Sequence, residues 1–413
     1  MVNDKGHGPL HGVRVADFSA HAAGPFAGLM LAELGAEVIR VESAARLDIT
    51  RRPHTMYGKP ASSFELVNAN KLSVCLNLKE PQAVALALEL AKVSDLVLEN
   101  FRPGVMERLG LGYPQLRQVK PDIILVSISA NGQSGPERRY AGYAPMFAAV
   151  GGLGHLTGYP DGPPVELRHP MDHTGGMMAA FCAVVALYAK SPHIPPGKWG
   201  SGGISLGQWV DVSVRDIATS FIGPALLDYA MNRREECRRG NQDDAMAPHG
   251  VYRCRGQDAW VSIAVGSDQE WQGLRHGLGN PTWAEEPRFA DAYRRWVNRE
   301  ELDRLMEQWT IQFTPQEVTQ RLQQAGVAAF PSLSAAQLME DPHLLAREAF
   351  SVVEHPDKGR QRAVAPPWRF SSTPARVDRW TPSLGEHNLE VFHGLLGLSV
   401  SEVKGLEKAQ VIW

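Results

Sequence analysis

The sequence predicts an α/β protein: a large domain with a mostly parallel sheet covered by helices, and a smaller α+β domain after it. Strand and helix signals alternate through the first 130 residues, with glycine and proline punctuating them. From about residue 225 the character changes, and five tryptophans (Trp260, Trp271, Trp283, Trp296, Trp309) mark a separate core. At 413 residues the chain is also too long for one ordinary core.

The elements follow in order. Val13–Phe18 reads as a strand, and Gly24-Pro25 opens a helix over Phe26–Leu34 that Gly35 stops. Glu37–Glu42 and Ser73–Leu78 are the next strands. A helix over Pro81–Lys92 starts with proline where its missing N–H costs little. Strands at Leu96–Glu99 and Ile123–Ser127 complete a βαβαβ run, whose ligands bind at the carboxyl ends of the strands. Ser191–Gly203 is a proline- and glycine-rich loop, either a lid or a surface insertion. Asn298–Gln312 is an amphipathic helix, and the tail mixes prolines with short strands before two short helices. The domains are therefore 1–224, 225–330 and a C-terminal segment, 331–413.

Composition narrows the partners. Hydrophobic residues make up 44% and charged residues 21%, as in soluble globular chains. A net charge of −3 without a Lys/Arg run argues against nucleic acid and membrane surfaces as partners. The four cysteines form no CxxC pair, and the N-terminus has no apolar signal core. The longest apolar run, Met177–Tyr188, is short of the roughly 20 residues of a membrane span. A cytoplasmic location is expected.

Several chemistries lack their motif. The GGLGHLTG run at 151–158 has the wrong spacing and place for a dinucleotide loop, and no P-loop or G-x-S-x-G elbow exists. His169 and His173 are separated by Pro170, so no metal site is expected.

Two stretches carry candidate chemistry. Asp172 precedes a long apolar helix pattern, so it reads as an N-cap that backbone N–H groups and the helix dipole keep ionised. An ionised carboxylate suits nucleophilic attack, although capping alone also explains an aspartate there. Glu99–Gly110 begins at a strand's carboxyl end. Arg102 and Arg108 there, with Phe101, suit a nucleotide-like ligand.

At these residues the chain resembles the class III coenzyme A transferases over nearly its whole length. The blocks include Leu10–Phe18, Ala23-Gly24-Pro25, Leu34–Glu42, Asn70-Lys71, Ser73–Lys79, Glu99–Gly104, Gly207–Ser213, Ala325-Gly326-Val327, Leu384–Asn388 and Leu395–Leu398. The resemblance implies a Rossmann-like large domain completed by the C-terminal tail, and an interlocked, ring-like dimer. It implies that Asp172 is the catalytic aspartate and that Leu76, Lys79, Asn100, Phe101 and Arg108 contact coenzyme A. Coenzyme A then arrives as an acyl-CoA co-substrate, with no permanently bound cofactor and a carboxylic acid as acceptor. A homodimer and a heteromer with a paralogous subunit both remain open.

The chain departs from family members in places. Ala22, preceded by His21, stands where the formyl transferases have glutamine, and Ser43 stands where they have an adenine-packing arginine, with Arg46 close by. Their glycine-rich shielding loop is not recognisable. Tyr143 takes the place of the racemases' histidine. A tyrosine hydroxyl, with an ordinary pKa near ~10, is a poor base at neutral pH, so transfer is favoured over racemisation. Tyr143 is then expected to hydrogen-bond the acyl group. Tyr143, Met146, Phe147, Met177 and Met178 form either an apolar acyl pocket, fitting an acid such as an aryl-succinate, or ordinary core. Arg168 and His169 either pair with a second carboxylate or are plain surface. Succinyl-CoA is the expected donor by association with the family.

Overall fold

The computed structural model describes residues 7–52, 54–56, 59–61, 63–167, 170–190, 207–355 and 359–413, with backbone alone for 54–56 and 59–61. The expected Ser191–Gly203 loop and the Arg168-His169 pair lie outside the described residues. The chain divides into two compact units, one from residues 1–154, 166–230 and 345–413, the other from 155–165 and 231–344. The second unit thus differs from the expected 225–330. It takes in residues 155–165 because Gly240 N–H donates to Gly158 O (2.8 Å) and Arg238 donates to His155 O (3.2 Å).

The first unit is built on six strands: β1 (Arg14–Asp17), β2 (Glu37–Glu42), β3 (Leu72–Cys75), β4 (Leu96–Glu99), β5 (Ile124–Ser129) and β6 (Trp209–Ser213). They pair in the order β3-β2-β1-β4-β5-β6, every pair parallel. This is the doubly wound order, and it reverses direction between β1 and β4. β3, β4 and β5 are buried at every residue, as apolar runs covered on both faces must be.

Helix α1 (Ala23–Glu33) and the long helix from Pro170 to Lys190 cover one face. Their Ala27, Leu31, Ala179 and Ala183 meet Val15, Leu96, Leu98 and Val126. On the other face lies α2 (Pro81–Lys92), with Ala83, Ala87, Leu90 and Ala91 facing inward at helical spacing. The C-terminal segment joins that face. Val391, Phe392, Val403 and Ile412 pack there, and Asn388 accepts from Cys75 N–H at 2.9 Å.

The second unit has a three-stranded antiparallel sheet in which Trp260–Ala264 lies between His249–Arg253 and Ala328–Pro331. Trp271, Phe289, Leu302, Met306 and Leu322 fill its core. Among the described residues no helix is long and apolar enough to cross a membrane.

Candidate active site

The reversal point of a doubly wound sheet leaves a crevice beyond the carboxyl ends of the two strands that flank it. Here those ends are Asp17 of β1 and Glu99 of β4, and the loops that follow them form the floor of a cleft of about 1010 Å³.

Three clamps set that floor. Fully buried Asp17 pairs with fully buried Lys71 at 2.9 Å and accepts the Ser19 N–H at 2.9 Å; Lys71 also donates to Pro25 O at 2.8 Å. Burial pushes Lys71 down to about 8, against the opposing pull of Asp17. Asn100 then grips Ala20 from both sides, accepting its N–H at 2.7 Å and donating to its carbonyl at 2.8 Å. In the third, Asp48 accepts the His21 N–H at 3.0 Å and is held by Arg40 at 2.6 Å. Burial raises the Asp48 carboxyl, but the Arg40 charge and bonds from Thr50 and His21 outweigh it and hold the carboxyl below its usual range. His21 sits between two of these clamps at φ +66°, a left-handed conformation uncommon outside glycine.

Glu99 anchors the next residues by accepting the Phe101 N–H at 2.7 Å. Burial pushes its carboxyl up to about 7, opposed by bonds from Ser127 and Phe101. Gly104, left-handed at φ +86°, then turns the chain into the short helix Val105–Arg108.

Asp172 comes from the helix that packs beside α1. The expected N-cap position is corrected: Pro170 occupies the first turn of the Pro170–Lys190 helix, where its fixed φ and missing N–H fit, so Asp172 lies inside that turn. The positive end of the helix dipole still acts there. The helix is seated against α1 at Gly176, where a Cβ would come 2.5 Å from Ala23 O, and His173 meets Phe26 edge-on at 4.6 Å. This contact brings the first turn, one turn before Gly176, to the mouth of the Ser19–Ala22 loop.

Asp172, Tyr143, Leu76, Lys79, Asn100, Phe101 and Arg102 all line the one cleft. Arg108 does not line it; its guanidinium turns back to Gly104, 3.2 Å from where a Cβ would be. Arg46 and Arg52 add positive charge to the lining, so a cation does stand near the place of the missing adenine-packing arginine. Tyr143, Met146 and Phe147 line the cleft as well, with Tyr143 exposed. Met177 and Met178 are absent from the lining and exposed, so they are neither pocket nor core.

The sequence reading missed the Arg40–Asp48 clamp, the role of the His21 backbone, and Ser129. Strand β5 runs to Ser129 rather than ending at Ser127, which puts a buried hydroxyl without a partner among the described residues at the cleft wall. Two serines at a strand's carboxyl end were the available signal.

Comparison with known proteins assigns the chain to a family. The model of CoA-transferase family III matches residues 10–388, so the chain belongs to that family. Succinyl-CoA–D-citramalate CoA-transferase of Chloroflexus aurantiacus is 34% identical over 98% of each chain. The alpha subunit of succinyl-CoA–L-malate CoA-transferase from the same organism is 31% identical over 98% of this chain and 92% of its own. Among solved structures, a CAIB/BAIF family protein from Brucella suis superposes with a TM-score of 0.83 at 28% identity, over 94% of this chain and 100% of that one.

Proposed function

We propose that this chain moves coenzyme A from an acyl-CoA to a carboxylic acid, with Asp172 as the covalent nucleophile. The observation that carries the proposal is the meeting of a first-turn carboxylate with a basic, nucleotide-sized cleft at the switch point of the sheet. The Asp172 carboxylate attacks the thioester carbonyl, and CoA thiolate leaves to give an acyl-aspartyl anhydride. The thiolate then attacks the aspartyl carbonyl, expelling the donor's acid and leaving an aspartyl-CoA thioester. The acceptor carboxylate attacks that thioester and expels CoA thiolate, forming a second anhydride. Thiolate attack on its acyl carbon releases the new acyl-CoA and restores Asp172. No step changes oxidation state.

Lys79, Arg102 and Arg46 are assigned to the phosphates, Leu76 and Phe101 to the apolar parts of coenzyme A, and Arg108 to the outer rim. Binding energy from this remote nucleotide holds the thioester at Asp172. Backbone N–H groups at the helix starts stabilise the oxyanions, and Tyr143 donates to the acyl group. Succinyl-CoA is proposed as donor and a short hydroxy-dicarboxylic acid as acceptor, as in the names of the relatives above. Racemisation is the weaker alternative, since Tyr143 stands where a second base is needed.

We assign the working state to a dimer of this chain. Met177, Phe181, Val185 and Tyr188 repeat at helical spacing and are all exposed, an apolar stripe that a second copy would cover. The test of activity is incubation of the singly expressed chain with succinyl-CoA and a panel of acids including D-citramalate, L-malate, oxalate and aryl-succinates, read by mass spectrometry. New acyl-CoA is expected from the chain alone. Activity only after addition of a paralogous subunit would overturn the homodimer, and no product from any acid would overturn transfer.

A further inference from the structure

The cleft lining holds one polar ring that the steps above leave unused. His21 follows Ala20, which Asn100 grips on both backbone groups, and its own N–H is held by Asp48. Its backbone is therefore fixed on both sides in the left-handed region, a conformation that persists only where surroundings impose it. Its ring is exposed, lines the cleft and makes no hydrogen bond or ion pair among the described residues. Two residues later the chain enters α1 at Ala23, the residue seated against the Asp172 helix at Gly176. The imidazole thus lines the same cleft as Asp172, just before the start of the helix that seats the Asp172 helix. Met146, Phe147 and Val214 add apolar lining to that cleft, so a polar acyl chain bound in it needs a specific donor to replace its water.

We infer that His21 determines specificity by donating a ring N–H to the distal carboxylate of a dicarboxylic substrate. The inference rests on the transfer reading above and adds the residue that selects the acid. No covalent step involves the ring.

The experiment compares two acids of equal chain length, succinate and butyrate, each ¹³C-labelled and exchanged into its own CoA ester. Two substitutions tolerate a left-handed backbone: His21→Gly removes the donor, and His21→Asn keeps one. Wild type is expected to favour succinate. His21→Gly should lower the succinate-to-butyrate ratio of kcat/KM about tenfold or more, mainly through the KM for succinate, and His21→Asn should recover most of it. Unfolding midpoints equal to wild type exclude a folding defect as the cause. An unchanged ratio in His21→Gly, an Asn variant no better than Gly, or a wild type that prefers butyrate overturns the inference. Absence of exchange with both pairs in wild type also overturns it, whereas the transfer reading falls only if the whole acid panel is inactive.

Discussion

Replacing Asn100 by alanine removes two hydrogen bonds, at 2.7 and 2.8 Å, that fix Ala20 at the floor of the cleft. Ala20 is half-buried, so water replaces the lost partners only in part. At about 1 kcal/mol net for each bond, the floor loses about 2 kcal/mol of restraint. That corresponds to a ~30-fold fall in the equilibrium constant for the correct loop position, and hence to a fall of up to that size in kcat/KM for acyl-CoA and for the acid alike. Asn100→Asp keeps the acceptor for Ala20 N–H but turns a carboxylate oxygen toward the Ala20 carbonyl, so it should fare no better than alanine. The loop is also held by Asp48, so adding Asp48→Asn should give a non-additive loss in a double-mutant cycle. The assay is steady-state transfer with each substrate varied in turn, beside a thermal melt. Wild-type turnover in both variants, or a loss confined to the KM for acyl-CoA, would refute positioning of the loop by Asn100.

Other perturbations have signs fixed by the geometry. Gly176→Ala places a Cβ about 2.5 Å from Ala23 O; a calorimetric loss of about 1–3 kcal/mol is expected, with reduced turnover as the Asp172 helix shifts. Lys71→Met strands the buried Asp17 carboxylate and should cost roughly 3–5 kcal/mol in denaturant titration, with partial recovery on adding Asp17→Asn. Glu33, buried at the end of α1, is pushed by burial up to about 8. Its folded value exceeds its unfolded one, so its contribution is fully present below pH ~4.5 and is lost as pH rises through about 8. Glu33→Gln should therefore raise the melting temperature relative to wild type at pH 8 and leave the difference small near pH 4.5.

The parallel sheet was legible because fully buried strands are continuous apolar runs. Leu96–Glu99 and Pro81–Lys92 appear with the expected bounds. Helix starts were less legible. Gly24-Pro25 and Pro170 read as boundaries but are accommodated in first turns, which moved Asp172 from the cap into the helix. Most expected cleft residues were found because they follow strand ends, where side-chain position depends on local chain direction. The clamps were not, since Arg40–Asp48 and Asn100–Ala20 join residues whose proximity only the fold creates. Arg108 shows the converse limit: residue type and spacing suited a phosphate, but the turn at Gly104 directs its guanidinium back along its own segment.

The most direct measurement of the central claim is the site of the covalent intermediate. Wild type mixed with acyl-CoA should gain the mass of coenzyme A less one water, and hydroxylamine should convert Asp172 alone to its hydroxamate in peptide mapping. Asp172→Asn should show neither adduct nor transfer. An adduct on another residue, or transfer retained by Asp172→Asn, would contradict the account.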